Sequence, residues 1–331
     1  MASYSEKGRI PWVERLQVLC MLLVVVHHCV PNSYSGPEVL ERLLDTLHYP
    51  ALAGFFLASG LFAGKWRQDG WRVYLKKRFL RLMTPYFCIN LLMLAPRYGA
   101  SVLMGVQPDL SLEWLVLSLL DPHEEGIAPH LWFLPTLMIM STMLPVLDVL
   151  VCGKRAPRLA TLAVLLTLSL LPLTLPTLLC LDELKLYLFW FALGLAVGKT
   201  WDIRRFLLTN SCAMALGVTG SMLFAAQVAW PELPLTLFST TVSGLLALLA
   251  ACVPSRGTDA LAAAFRGKTF NIYVLSMCVQ NMVEVLGALC HVPWAITALA
   301  MLILGLALPW CFCVWEARHP LPRPLRLAVG L

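Results

Sequence analysis

Two histidines in apolar surroundings are the residues of this sequence best suited to chemistry. His28 ends an apolar run that begins near Leu16, and His130 opens the segment 130–134 (HLWFL). An imidazole is costly inside a membrane and titrates near neutral pH, which suits it to general base catalysis on a hydroxyl group. The plainer interpretation of His28, an interfacial residue at a helix end, stays open. His27 points about a quarter turn away from His28 on a helix and has no special claim.

Gln17 is predicted to share a helix face with His28. The two residues are eleven positions apart, so a helix places them within roughly 20° of each other, separated by about 16 Å along its axis. A polar residue would then lie at each end of one face of the first apolar segment.

Cationic residues that could bind the phosphates of a nucleotide-bearing donor occur in one basic and aromatic stretch, 65–81. Lys77, Arg78 and Arg81 lie near its end. Guanidinium and ammonium groups are the usual protein partners of phosphate. Charge alone explains the stretch equally well as an anchor on anionic lipid at the cytoplasmic membrane surface.

The elements that must position these residues are membrane-spanning helices. Of the 331 residues 59% are hydrophobic and only 13% charged, against roughly 25% charged in a soluble domain. A bilayer core about 30 Å thick requires roughly 20 apolar helical residues, and a helix satisfies its own backbone hydrogen bonds in lipid. We therefore predict an all-α, polytopic integral membrane protein whose residues 1–331 form one membrane domain. Ten transmembrane helices are predicted near 12–31, 44–64, 82–104, 130–152, 158–180, 182–200, 206–228, 234–253, 269–290 and 293–315.

The distribution of positive charge predicts that both termini are cytoplasmic. With that orientation, all but Arg42, Arg97 and Lys185 of the 25 lysines and arginines lie on the cytoplasmic side, as the retention of positive charge inside requires. Loops 32–43, 105–129, 229–233 and the region of 291 would face outside. The net charge of +6 then reflects orientation, so we expect membrane lipid and not nucleic acid as a partner.

Several local features complete the prediction. The first helix is interpreted as an uncleaved anchor, because no small-residue cleavage site follows it. Ser59 and Gly60 would allow close helix packing, and Leu112 to Leu120 could form a short interfacial helix. The stretch 65–81 should lie against the membrane surface.

The eleven cysteines are scattered, so we interpret them as apolar packing residues and expect no metal site.

The sequence resembles the acyltransferase 3 family of multi-helix membrane proteins. Five features carry the resemblance through their shared order: the first helix ending in His28, the segment 55–60 (FFLASG), the segment 77–81 (KRFLR) followed by Pro85 and Tyr86, the segment 130–134, and Asn271-Ile272-Tyr273. Members that modify osmoregulated glucans have a similar bare membrane domain, without an appended soluble esterase-like domain.

The resemblance implies O-acylation, for example O-acetylation, of a surface glycan or related acceptor in a bacterial cytoplasmic (inner) membrane. The donor would be acyl-CoA, either acetyl-CoA or succinyl-CoA, used as a substrate and not as a tightly bound cofactor. The implied catalytic residues are His28 as general base and His130, which would orient His28 or stabilise the oxyanion; a covalent acyl-histidine intermediate stays open. The implied donor-binding residues are Arg15, Gln17, Lys77, Arg78 and Arg81.

Two departures from the family pattern keep other functions in view. The family usually has an arginine where this chain has Gln17, and often a histidine near Ser276. A neutral amide cannot replace the charge of arginine, so either Arg15 or the cluster at 76–81 serves the donor, or activity is reduced. The rival functions are a transporter or flippase for a glycan or lipid-linked precursor, and a structural membrane subunit that retains the fold alone.

Overall fold

A computed structural model describes residues 10–31, 34–64, 66–103, 105, 111–122, 126–200, 210–229 and 237–331. The structure is 83% helical, and no strand occurs among the described residues. The all-α prediction is therefore confirmed.

Sixteen α-helices and two 3-10 helices occur in the described part of the chain. They are α1 Pro11–His27, α2 Glu38–Thr46, α3 His48–Ala63, α4 Trp66–Asp69, α5 Trp71–Leu103, α6 Leu112–Leu120, η1 Pro129–Trp132, α7 Phe133–Thr142, α8 Leu144–Cys152, α9 Arg155–Leu170, η2 Leu178–Cys180, α10 Leu181–Thr200, α11 Asn210–Ala229, α12 Leu237–Ala251, α13 Arg256–Phe265, α14 Thr269–Leu289, α15 Trp294–Arg318 and α16 Arg323–Ala328. Each predicted apolar segment overlaps at least one of these helices.

Membrane-spanning character is evident in part of this set. Among the described residues, four helical stretches are long and apolar enough to cross a bilayer: Glu38–Asp69, Trp71–Val102, Thr269–Leu289 and Trp294–Arg318. Two bent pairs raise the number to six, one formed by residues 129–152 with a 65° bend and one by α12 and α13 with a 100° bend. The finer prediction of ten spans with both termini cytoplasmic remains a prediction.

The basic stretch 65–81 was predicted as a segment on the membrane surface, and the structure shows two helices there. From Trp71 onward it is the beginning of α5, which continues for 33 residues through Pro85 and Pro96. Proline is tolerated in a membrane helix because neighbouring groups satisfy the carbonyl that it leaves free. The preceding short helix α4 is held to α8 by an ion pair between Arg67 and the buried Asp148. The predicted interfacial helix at 112–120 coincides with α6.

Helix α3 is central to the bundle, packing against α1, α10 and α12. Its contact with α10 is close because glycines face backbone on both sides. A methyl group at Gly60 would collide with the Phe191 carbonyl oxygen, and one at Gly194 would collide with the Leu57 carbonyl oxygen. The predicted role of Gly60 in close packing thus has a definite partner helix.

The outer surface of the bundle is apolar where a soluble protein would be polar. Leu91 and Val149 are each 73% exposed, and Met222 is 68% exposed. Side chains of this kind would destabilise a protein in water, whereas lipid solvates them without cost.

Helices α1 and α14 run in the same direction, which defines two ends of the bundle. Arg15, in the second turn of α1, pairs with Asp259 of α13, the helix that directly precedes α14 in the chain. Val25, near the end of α1, contacts Gln280 in the second half of α14. We call the end at which α1 begins the basal end and the opposite one the apical end. The predicted topology makes the basal end cytoplasmic.

Candidate active site

His28 is the residue that follows the last turn of α1. Its backbone N–H donates to the Val24 carbonyl, which closes the helix. Its ring centroid lies 4.7 Å from that of His27, and it is close enough to His27, His48 and His130 for their charges to act on it. The ring makes no hydrogen bond to any residue that the structure describes. No described residue therefore fixes which of its nitrogens carries the proton.

His130 lies in η1 and is buried, with 5% of its surface exposed. Its Nε2 lies 3.2 Å from the Val274 carbonyl oxygen of α14, while its own carbonyl accepts a hydrogen bond from the Tyr273 hydroxyl. Because a carbonyl only accepts, Nε2 must carry the proton, so Nδ1 of the neutral ring carries the lone pair. That Nδ1 is buried and has no hydrogen-bond partner in the described part of the chain. The site thus contains a buried acceptor whose direction is fixed by the bond from Nε2 to Val274.

The two histidines are anchored at different levels of the bundle. His130 is held at Val274, six positions before Gln280, which contacts α1 at Val25. At 1.5 Å per helical residue, the Val274 carbonyl that binds His130 lies about 9 Å nearer the basal end than the contact between Gln280 and Val25. His28 comes after Val25 in α1 and so lies on the apical side of that contact. The two rings therefore approach from different depths.

Two further histidines, which the sequence reasoning set aside or missed, flank His28. His27 is linked through Nδ1 to the Leu44 carbonyl at 3.0 Å, and its ring centroid lies 4.4 Å from that of His48. His48 in turn lies against Tyr49, with ring centroids 3.8 Å apart. The position of His48 near the outer end of the second predicted span could have indicated it. Among the described residues, no group of three or more His, Cys, Asp or Glu side chains is placed to hold a metal ion.

Arg15 is buried and engaged in contacts within the protein. Its Nε donates to the Cys252 carbonyl at 2.7 Å, and its Nη1 lies 2.5 Å from a carboxylate oxygen of Asp259. These contacts connect α1 to the end of α12 and to α13. Asp259 follows Arg15 by 244 positions, and no sequence pattern indicated the pair.

The other predicted donor-binding residues are more open. Gln17 is half-buried, and its side chain makes no hydrogen bond within the described ranges. Lys77 is exposed and pairs with Asp69 at 2.9 Å. Arg78 donates to the Tyr74 hydroxyl at 2.9 Å, and Arg81 lies over the ring of Phe270 at 5.5 Å.

These cations lie near the basal end, where one donor could contact several of them, but they do not surround a closed site. Arg81 lies beside the first turn of α14 through Phe270, and Arg15 is held to α13, the helix just before it. The structure thus places both near the basal end of α14, on different neighbouring elements.

Gln280 is a further buried polar residue near His28 that was not predicted from the sequence. It is fully buried, and its Nε2 donates to the Val25 carbonyl at 2.9 Å. A sequence signal existed: Gln280 follows Tyr273 by two helical turns, so both lie within about 20° on one face of α14, and a glutamine inside an apolar segment is expensive.

Comparison with protein families assigns the chain to one of them. The model of the family described as "Acyltransferase domain" (Acyl_transf_3) matches residues 10–315, nearly the whole chain. The chain belongs to this acyltransferase family. Membership implies membrane acyltransferase activity. No curated protein and no solved structure matches the chain.

Proposed function

We propose that this acyltransferase moves an acyl group from a cytoplasmic acyl-CoA-type donor, acetyl-CoA or succinyl-CoA, to a hydroxyl of a surface glycan or related acceptor. The observation that carries the proposal is that His28 lies within electrostatic range of His130, whose buried Nδ1 has no hydrogen-bond partner among the described residues. A transfer site for a hydroxyl needs a base and a group that fixes the base or the hydroxyl.

His28 is the general base in this proposal. It removes the proton of the acceptor hydroxyl as the oxygen attacks the thioester carbonyl. The ester bond forms, the carbon–sulfur bond of the donor breaks, and the proton passes from His28 to the departing thiolate. A neutral imidazole at the end of α1 is suited to both steps, because it can accept a proton in one and return it in the other.

The hydrogen bond of His130 favours one of the two roles that the family resemblance left open. An oxyanion needs a hydrogen-bond donor, whereas Nδ1 of neutral His130 is an acceptor because Nε2 donates to Val274. His130 therefore orients the N–H of His28 or the acceptor hydroxyl by accepting a hydrogen bond. A covalent acyl-histidine would use the same two rings and is the second mechanism to consider.

The donor in this proposal enters from the basal end. Lys77, Arg78 and Arg81 in the first turns of α5 bind its phosphates, and Gln17 lies nearby at the start of α1 beside Arg15, which is engaged with Cys252 and Asp259. The accompanying topology has ten spans, both termini in the cytoplasm of a bacterial cell, and the apical end on the outer face of its inner membrane. Exposed cations at the basal end support this assignment because they are retained on the cytoplasmic side.

Replacement of His28 tests the proposal. We expect His28→Ala to abolish acyl transfer, measured by mass spectrometry of the acyl groups on surface glycans from cells with and without the protein. Loss of a general base lowers the rate by about 10²–10⁴-fold. Protein level and membrane insertion are measured in parallel.

The matched control is His27→Gln, which changes the adjacent imidazole but keeps a donor for the Leu44 carbonyl. We expect this variant to retain most of the transfer. Unchanged glycan acylation in a correctly inserted His28→Ala protein would instead favour a glycan transporter or a non-catalytic membrane subunit.

A further inference from the structure

The last turn of α1 has a carbonyl group that the helix itself does not satisfy. The Cys29 N–H, which would continue the helical ladder to Val25, donates to Val26 instead. In water such a carbonyl would bind solvent, but an apolar environment offers no substitute. The Val25 carbonyl oxygen is instead bonded by the side chain of Gln280, at 2.9 Å from Nε2. This contact is made three residues before His28.

Gln280 itself is an expensive residue in this position. It is fully buried, and its Oε1 has no hydrogen-bond partner among the described residues. An unsatisfied buried acceptor costs about 1–3 kcal/mol, so an apolar side chain of similar shape would suit the packing better. Its presence calls for a role that apolar packing does not supply.

The neighbouring helix α15 leaves space for the glutamine. Gly305 packs directly on it, and a methyl group at that position would lie 2.8 Å from Cγ and 3.2 Å from Nε2 of Gln280. Any larger residue at position 305 would displace the amide from the end of α1. The absence of a side chain at Gly305 thus gives the Gln280 amide room beside Val25.

We propose that Gln280 is a positioning residue for His28. Its Nε2 fixes the last turn of α1 through the Val25 carbonyl, and the direction of the His28 ring follows from that turn. Rates of acyl transfer depend steeply on placement of the base, because the base must lie within about 3 Å of the proton it removes. This inference rests on the proposed function, in which His28 is the base.

The test compares Gln280→Met with the wild type. Methionine preserves the volume but donates no hydrogen bond, so the end of α1 is released without creating a cavity. Inverted membrane vesicles, loaded with glycan from cells that lack the protein, are supplied with radiolabelled acetyl-CoA or succinyl-CoA. We expect kcat per folded molecule to fall about tenfold to a hundredfold, with KM for the donor unchanged because the donor cations lie at the basal end.

Thr297→Val is the matched control. Thr297 is a buried polar residue of α15 that packs on α14 at Gly287, and its hydroxyl bonds within its own helix to the Pro293 carbonyl. We expect this variant to retain the wild-type kcat. Gly305→Ala provides a second change that displaces the Gln280 amide without removing it, and should lower kcat in the same direction as Gln280→Met.

Gln280→Glu distinguishes positioning from a general structural effect. Only a protonated carboxyl can donate to the Val25 carbonyl, so this variant should be active at low pH and lose kcat as the carboxyl ionises with rising pH. The wild type should show no such loss, because a general base becomes more effective as its imidazole deprotonates.

Two results would overturn the inference. One is a wild-type kcat in folded Gln280→Met, and the other is a Gln280→Glu pH profile that matches the wild type. A failure of the proposed function is seen separately, as transfer that survives His28→Ala.

Discussion

At the scale of residues, the histidines differ in what their nitrogens are free to do. His27, His48 and His130 each have one ring nitrogen tied to a backbone carbonyl, of Leu44, Asp45 and Val274 respectively. A nitrogen that faces a carbonyl must carry a proton, so the tautomers of these neutral rings are fixed. The ring of His28 has no such bond to a described residue. No described residue therefore fixes the tautomer of His28.

Among the basic residues, Arg15 stabilises the fold, whereas Lys77, Arg78 and Arg81 are proposed to bind the donor. Arg15 makes two charge-assisted hydrogen bonds inside the protein, each worth about 1.5–3 kcal/mol when lost. We expect Arg15→Met to lower the thermal unfolding temperature in detergent. We expect simultaneous neutralisation of Lys77, Arg78 and Arg81 to leave that temperature nearly unchanged and to raise KM for the acyl-CoA donor.

Asp259→Asn is the control for the Arg15 prediction, since it removes the charge partner of Arg15 and leaves the arginine in place. It should destabilise less than Arg15→Met, because Asp259 is half exposed and the Cys252 carbonyl still accepts from Arg15. If the triple variant keeps the wild-type KM when correctly inserted, the cluster is a lipid anchor and not a donor site.

At the scale of elements, the contact of α3 with α10 holds the centre of the bundle together. Helices in lipid associate through close packing and not through the hydrophobic effect. Glycines on both helices let the backbones touch, with Gly60 against Phe191 and Gly194 against Leu57. Aromatic side chains fill the space beside this contact, including Phe56 and Tyr187, whose ring centroids lie 4.9 Å apart. The site depends on this pair because α3 also carries His48.

We expect Gly60→Ala to destabilise the protein, because the added methyl group forces α3 and α10 apart. Overpacking of this kind costs about 1–3 kcal/mol. Gly64→Ala, one turn further along, is the control: its φ is −58°, and a methyl group there meets nothing within 4 Å. Thermal unfolding of the two purified variants in detergent measures the difference. Equal unfolding temperatures would show that the contact with α10 is looser than described.

At the scale of the whole molecule, orientation in the membrane sets the direction of transfer. Few lysines and arginines lie at the apical end among the described residues. More of them lie at the basal end, in the first turns of α5 and at the start of α13. In the proposed function the donor is made in the cytoplasm and the acceptor lies on the outer face, so the site must be reached from both ends. The approach of His28 from the apical side and of His130 from deeper in the bundle is consistent with such a path.

Cys290 is a natural reporter of this orientation. It is an exposed thiol in the turn between α14 and α15, at the apical end. We expect a membrane-impermeant maleimide to label it in intact spheroplasts, and Cys290→Ser to remove that labelling. If Cys290 reacts only after permeabilisation, the apical end faces the cytoplasm and the proposed topology is inverted.

The sequence by itself determined the class of the protein and most of its helices. Composition alone required lipid as the solvent, and runs of apolar residues marked the longer helical segments, because burial in a bilayer leaves a strong local signal. Gly60, His28 and His130 were found in the same way, as small or polar residues where apolar bulk is expected. Family membership followed from the order of short motifs along nearly the whole chain.

Only the tertiary structure decided which of these residues meet. Asp259 neutralises Arg15 across 244 positions, Gln280 reaches the end of α1 across 255, and Val274 fixes the tautomer of His130 across 144. Such contacts depend on the rotation and relative depth of packed helices, and a helix that is apolar on every side gives no sequence signal for either. The continuation of α5 through residues 71–81 was hidden for a related reason, since charge marks the membrane surface but does not mark where a helix begins.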